Sequence, residues 1–253
     1  MNFGQQWRAV PPVTKNLIII NVAIWLVEIL IPRFGSTLID KLGLHFWESA
    51  AFNPAQILTY MFLHDSHSVL HILFNMFTLW MFGRILEQVW GSKRFFLFYM
   101  VCGLGAAFIQ EFVWMLTAKH EYISEIAKLN GLTYDHMEAV VNEAVAANNP
   151  NFLAGIAAMK GSLVTIGASG AIFGLLLGFA MIFPNMPMYL FFIPVPIKAK
   201  YMVIGYAVLE FFLGVSGGGT IAHFAHLGGM LFGLVLLLYW KKKGTLGGGN
   251  FYY

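Results

Sequence analysis

Charge is what this chain has least of. Only 11% of its 253 residues are Asp, Glu, Lys or Arg, while 58% are hydrophobic; that charged share is about half what soluble domains carry. Mean hydropathy is +0.70. A soluble core of this size has no need of so few charges, and the composition points to lipid as the solvent. The formal net charge of +3 offers none of the strongly basic excess that a nucleic-acid partner calls for. Cys102 is the single cysteine, so no disulfide forms within the chain. Met1–Thr14 lacks a signal-peptide cleavage pattern, and the first apolar run is expected to remain as an anchor. The zinc-protease pattern is missing as well: His67 and His71 stand four apart, but Ser68 occupies the place where HExxH requires Glu.

What is present are long apolar runs: Asn16–Ile31, Leu70–Leu86, Phe95–Leu116, Leu163–Phe183, Tyr201–Val215 and Ile221–Trp240. Several approach the roughly 20 residues that cross about 30 Å of hydrocarbon. The reading is an all-α membrane protein with six transmembrane helices. With the N-terminus inside, the inner segments hold Arg8, Lys15, Arg84, Lys93, Arg94, Lys198, Lys200, Lys241, Lys242 and Lys243, while only Arg33, Lys41, Lys119, Lys128 and Lys160 lie outside. The asymmetry places both termini in the cytoplasm. The chain then divides into a cytoplasmic segment over 1–13, a six-helix domain over 14–240 and a cytoplasmic tail over 241–253.

The connections carry their own signals. Arg33–His67 is an outer loop whose Trp47, Phe52 and Tyr60 suit the membrane interface, and Asn53-Pro54 marks a turn or a short helix. Gln88–Arg94 is tight enough to force an antiparallel helix pair. The outer insertion over 118–161 is the most acidic stretch. In it Thr133 is a candidate N-cap for a helix reaching about Ala147, with Met137, Val140, Val141 and Ala144 as its apolar stripe. Pro184–Lys200 is an inner loop with four prolines, expected to lie against the membrane surface. Gly217-Gly218-Gly219 makes the last outer loop pliant.

Polar residues inside apolar runs are costly and need a reason. Ser169, in Gly167-Ala168-Ser169-Gly170, lies about six residues below the outer end of the fourth run, and His226 lies at a similar depth in the sixth. His71 and Asn75 occupy the outer half of the second run, spaced i,i+4 on one face. Serine needs a base to become a nucleophile, and His226 can serve as that base and later as the acid. His71, Asn75 and the Ser169 backbone N–H can supply the donors an oxyanion needs. No span offers a well-placed aspartate, so a Ser169–His226 pair is the simpler reading. Gly170, Gly174 and Gly178, with Gly229 and Gly233, form small-residue stripes that let two helices approach closely. Glu28, Glu87, Glu111 and Glu210 are read as lying near span ends or hydrogen-bonded within the bundle.

The segments His71-Ile72-Leu73-Phe74-Asn75, Gly167-Ala168-Ser169-Gly170 and Ala225-His226-Leu227-Gly228-Gly229, in that order on the second, fourth and sixth runs, resemble the rhomboid family of intramembrane serine proteases. The resemblance covers about residues 14–240 apart from the insertion. It implies a six-transmembrane-helix rhomboid bundle with an extra outer helical insertion. It implies Ser169 as nucleophile, His226 as general base, and an oxyanion hole of His71, Asn75 and the Ser169 amide. Gly167, Gly170 and Gly229 would support them, and Phe173 would be the ring packed on His226. It implies transmembrane protein substrates reached within the bilayer, no metal and no organic cofactor, and residence in a bacterial inner membrane. The chain departs from the family where Trp47 is followed by Glu48 rather than Arg. A non-catalytic relative that binds membrane proteins, and more remotely a metal transporter using the clustered histidines, are the alternatives. A gate formed by the fifth span with the Gly217–Gly219 loop is the expected entry for substrate.

Overall fold

The structure is a computed structural model that describes residues 7–190, 193–216 and 222–246. The Gly217–Gly219 loop lies outside the described residues. Helix α1 (Pro12–Leu30) starts on Pro11-Pro12, whose fixed φ suits a first helical turn. A short amphipathic helix α2 (Pro32–Leu42) follows and leads to a two-residue strand β1 (Leu44–His45) and a one-turn helix α3 (Gln56–Thr59). Helix α4 (Val69–Thr78) passes through a π-helical turn, Leu79–Gly83, into α5 (Arg84–Trp90). Gly91, at φ 75°, turns the chain into α6 (Ser92–Leu129). The left-handed φ is one that glycine adopts without strain.

Helix α6 is 38 residues long, about 57 Å at 1.5 Å per residue. It therefore runs well past Leu116, where its hydrophobic run stops, and its projecting end carries the insertion. Helices α7 (Tyr134–Ala146) and α8 (Pro150–Ser162) pack there. Met137 and Val141 bury against Ile123 and Ala127 of α6. The Thr133 side chain accepts from the His136 backbone N–H and caps α7. Asn148, at φ 52°, breaks the chain, and Asn149 caps α8.

The fourth apolar run is not helical from its outer end. Val164–Thr165 forms strand β2, paired antiparallel with β1, and helix α9 starts only at Ser169 and ends at Ile182. The cause is local. Gly167 has φ 126°, outside helical geometry, and its N–H is spent on the Tyr60 carbonyl. The β-branched residues before it pair as a strand instead. Tyr60 itself is a second correction. It is not an interface residue but is buried, its hydroxyl donating to the Gly103 carbonyl at 2.7 Å. Within the proline-rich loop, β3 (Pro187–Leu190) and β4 (Ile193–Lys198) pair antiparallel.

Helix α10 (Ala199–Val215) and helix α11 (His223–Lys242) complete the chain. Four helical segments among the described residues are long and apolar enough to cross a membrane: Pro12–Leu30, Val69–Trp90, Ser92–Leu129 and His223–Lys242. Helices α9 and α10 are shorter, at 14 and 17 residues. The protein is an all-α, multi-pass membrane protein. Its core lies where α6, α9 and α11 meet, with Phe95, Phe98, Tyr99, Cys102, Leu175 and Leu237 fully buried. Lipid-facing residues such as Leu104, Phe108, Leu231 and Val235 stay exposed around it, as a bundle dissolved in hydrocarbon requires.

Candidate active site

The site is built on a glycine contact. Helices α9 and α11 touch where a Cβ on Gly229 would overlap the Gly170 carbonyl, and a Cβ on Gly170 would overlap Ala106 of α6. Farther along α9, Gly174 and Gly178 lie against Cys102 and against Trp90 and Phe98. Small residues here let three backbones approach, and the approach fixes the spacing of the polar side chains above it.

That spacing brings Ser169 Oγ to 2.8 Å from His226 Nε2. Phe173, one turn after Ser169, stacks on the His226 ring at 4.2 Å between centroids and 6° between planes. His226 is buried while Ser169 remains partly exposed, so the serine hydroxyl is approachable and its imidazole partner is held. Ser169 is the first residue of α9, and an N–H in the first turn of a helix has no carbonyl partner within that helix. The late helix start thus leaves the Ser169 amide available at the positive end of the helix dipole.

His71 and Asn75 stand opposite on α4. A Cβ on Gly167 would meet His71 Nε2 at 3.0 Å and Ser169 Oγ at 3.7 Å, so bare Gly167 opens the space between them. The Asp65 backbone N–H donates to His71 Nδ1 at 3.4 Å, which leaves Nε2 to carry the proton of the neutral ring. Asn75 is buried, and its Nδ2 has no hydrogen-bond partner among the described residues. An orphaned buried donor one turn along α4 from His71 is a group that a developing oxyanion could complete. Beneath His71, at 5.1 Å between rings, lies His64, which is fully buried. Burial, and after it the neighbouring His71, hold His64 down to about 3. His67 lies outside this packing, exposed and ahead of α4, its N–H donating to Asp65 Oδ1.

One site residue has no motif to announce it. Glu210 of α10 reaches His226 Nδ1 at 2.9 Å and His223 Nδ1 at 2.7 Å with the same oxygen, Oε2. The Ser169–His226 pair therefore has a carboxylate behind it, from a glutamate rather than an aspartate. Glu210, His223 and His226 also each offer one ligand atom within 4.8 Å of the others, the grouping that a metal ion could bridge. Two of the remaining buried carboxylates are structural anchors. Glu111 accepts from the Trp47 N–H at 2.8 Å and ties the outer loop to α6. Glu87 accepts from Thr14 and Val13. Glu28 is buried near the His64 backbone, and among the described residues neither of its oxygens has a hydrogen-bond partner within 3.5 Å. In the outer loop, Glu48, where the family more often has Arg, pairs with Lys160 of the insertion at 2.6 Å.

Two comparisons bear on this arrangement. The family model of the Rhomboid domain matches residues 51–243, a span that contains every residue of the constellation. A search of curated proteins finds no match.

Proposed function

The chain belongs to the rhomboid family, and from that premise we propose that it is an intramembrane serine endopeptidase. Its substrates would be membrane proteins, cut in or just beside a transmembrane segment. The observation that carries the reading is the 2.8 Å contact between Ser169 Oγ and His226 Nε2, inside a bundle of apolar helices. A relative that only binds membrane proteins has no use for a nucleophile and base in register.

In this reading α9 and α10 also cross the membrane, which makes six spans with both termini cytoplasmic. With Ile182 at the inner boundary, α9 rises about 21 Å, leaving Ser169 about 9 Å below the outer boundary of a 30 Å core. The host is a bacterial inner membrane, and the site opens outward. The substrate helix enters laterally and unwinds locally, because a helical peptide holds its carbonyls in hydrogen bonds. Ser169 Oγ attacks the carbonyl carbon as its proton passes to His226 Nε2. The oxyanion is held by His71 Nε2, Asn75 Nδ2 and the Ser169 N–H. The C–N bond breaks and the departing amine takes the proton from His226. Water then attacks the acyl-enzyme, giving its proton to His226. The acid product leaves, and the proton returns to Ser169.

The test is cleavage of a single-span reporter by the purified protein in liposomes, with wild type, Ser169→Ala and His226→Ala, each with and without EDTA. Chelator-resistant cleavage that both substitutions remove is the expected result. Cleavage that survives Ser169→Ala overturns the nucleophile.

A further inference from the structure

We propose that Glu210 is a positioning residue that extends the Ser169–His226 pair into a Ser–His–Glu relay, with His223 as a second clamp on the same carboxylate. The inference rests on the protease reading above and concerns the same site.

Glu210 has no reason to be where it is on packing grounds. The helix around it faces lipid: Val208, Leu209, Phe211 and Phe212 are all about half exposed or more. A carboxylate in such a helix is expensive unless it is turned inward and paired. Glu210 is turned inward, and its Oε2 meets two imidazole nitrogens at hydrogen-bond distances. An ionised carboxylate can only accept. His226 Nδ1 must therefore be the donor, and the neutral ring then has its lone pair on Nε2. Nε2 is the atom facing Ser169 Oγ at 2.8 Å. Glu210 thus selects the one neutral tautomer that can take the serine proton. When His226 becomes imidazolium in the transition state, the same carboxylate balances its charge.

His223 does a different job. It lies one turn before His226 on α11, its ring roughly perpendicular to that of His226 at 89°, and its Nδ1 meets the same oxygen, Oε2, at 2.7 Å. Two donors restrain the oxygen where one would let it swing, whereas Phe173 fixes the face of the His226 ring. Orientation and tautomer are set by groups on three helices: α9, α10 and α11. Because the acid is carried on α10, displacement of that helix would remove it from His226.

The experiment compares wild type with Glu210→Gln, Glu210→Ala, Glu210→Asp and His223→Ala in liposomes, each with and without EDTA. It reads kcat and KM for reporter cleavage, labelling of Ser169 by a fluorophosphonate, and the ¹⁵N spectrum of the His226 ring. For Glu210→Ala and Glu210→Gln, kcat should fall by roughly 10²-fold or more with KM little changed, as loss of an orienting acid does elsewhere. Asp should recover part of that loss, and His223→Ala should lose less than Glu210→Ala. In the ¹⁵N spectrum, the Nδ1-protonated signature of His226 should be present in wild type and lost or mixed in Glu210→Ala. A merely structural carboxylate would lower thermal stability and leave the tautomer alone. Unchanged kcat together with an unchanged ring spectrum in Glu210→Gln overturns the relay. Loss of wild-type activity in EDTA also overturns it, by placing a metal rather than a proton between these groups. If wild type cleaves nothing, the protease reading fails separately, and the ring spectrum still decides whether Glu210 positions His226.

Discussion

Gly229 and Gly170 touch so closely that a Cβ at 229 would overlap the Gly170 carbonyl oxygen. That contact sets how far α11 stands from α9, and so how far His226 stands from Ser169. Gly229→Ala must push the helices apart. Overpacking of this kind costs about 1–3 kcal/mol, and small misplacements of a catalytic pair cost about 10²-fold in rate. The expected outcome is a lowered Tm and a larger proportional loss of cleavage than of folded protein. Gly205→Ala is the control: a Cβ there meets nothing within 4 Å, and neither Tm nor cleavage should fall. Equal behaviour of the two variants would sink the spacing argument.

Asn75 offers a separation of stability from activity. Its Nδ2 is buried without a partner among the described residues, so in the resting protein that group is a cost rather than a support. Asn75→Ala should therefore leave Tm unchanged or slightly raised. If Nδ2 donates to the oxyanion, kcat should fall by about 10²–10³-fold with KM nearly constant. A clear drop in Tm with little change in kcat would make Asn75 a structural residue instead.

His64 gives the protein a pH-dependent stability. Its folded value is held down to about 3 from an ordinary 6.5. Between those limits the unfolded chain binds a proton that the folded one refuses. Stability is therefore full above about pH 6.5 and falls as the pH drops toward 3, by about 2 kcal/mol at pH 5. Thermal unfolding from pH 8 to pH 5 should show this slope in wild type and a flatter one in His64→Asn. The slope is the readout, whatever the substitution does to stability at pH 8. Parallel lines would show that His64 does not carry the effect.

The residues of the candidate site are legible in the sequence because each sits in a short motif whose polarity contradicts its apolar surroundings: His71 and Asn75 on one face, Ser169 between glycines, His226 before Gly228-Gly229. Glu210 was not legible in the same way. It is 16 residues before His226, on another helix, and nothing in hydropathy says toward which side of a helix a carboxylate turns. The start of α9 was misplaced for a related reason. Leu163-Val164-Thr165-Ile166 is apolar whether it is helix or strand, and only the backbone at Gly167, with its N–H on Tyr60, decides between them. Tyr60 was misread because an aromatic with one polar atom fits the interface as well as it fits a buried hydrogen bond. The partner in that bond, the Gly103 carbonyl, is 43 residues away.

Phe173 tests how much the face of the His226 ring matters. The stack is close and nearly parallel, and an aromatic contact of this sort contributes about 0.5–1.5 kcal/mol beyond burial. Phe173→Tyr keeps the ring and should keep most of the cleavage. Phe173→Ala leaves His226 free to rotate on its bond to Glu210, and should lose activity well beyond its loss in Tm. Retention of full activity by the alanine variant would mean that Glu210 and the helix contact alone hold the ring.

Glu87 predicts the opposite pattern, because it ties helix starts together and, among the described residues, hydrogen-bonds to none of Ser169, His226, His71 and Asn75. One of its oxygens accepts from the Thr14 N–H at 2.7 Å and the Thr14 hydroxyl at 2.8 Å; the other accepts from the Val13 N–H at 3.0 Å and the Ser92 hydroxyl at 2.7 Å. It thereby ties the starts of α1 and α6 to α5. Glu87→Gln exchanges one acceptor for an amide that faces donors, and a buried group left so mispaired costs about 1–3 kcal/mol, more where a charge is involved. Thermal unfolding should show that loss directly. Cleavage per folded molecule, normalised by fluorophosphonate labelling of Ser169, should stay at the wild-type level. A fall in the normalised rate would mean that the inner anchor is felt at Ser169, and that the two ends of the bundle are mechanically coupled rather than independent.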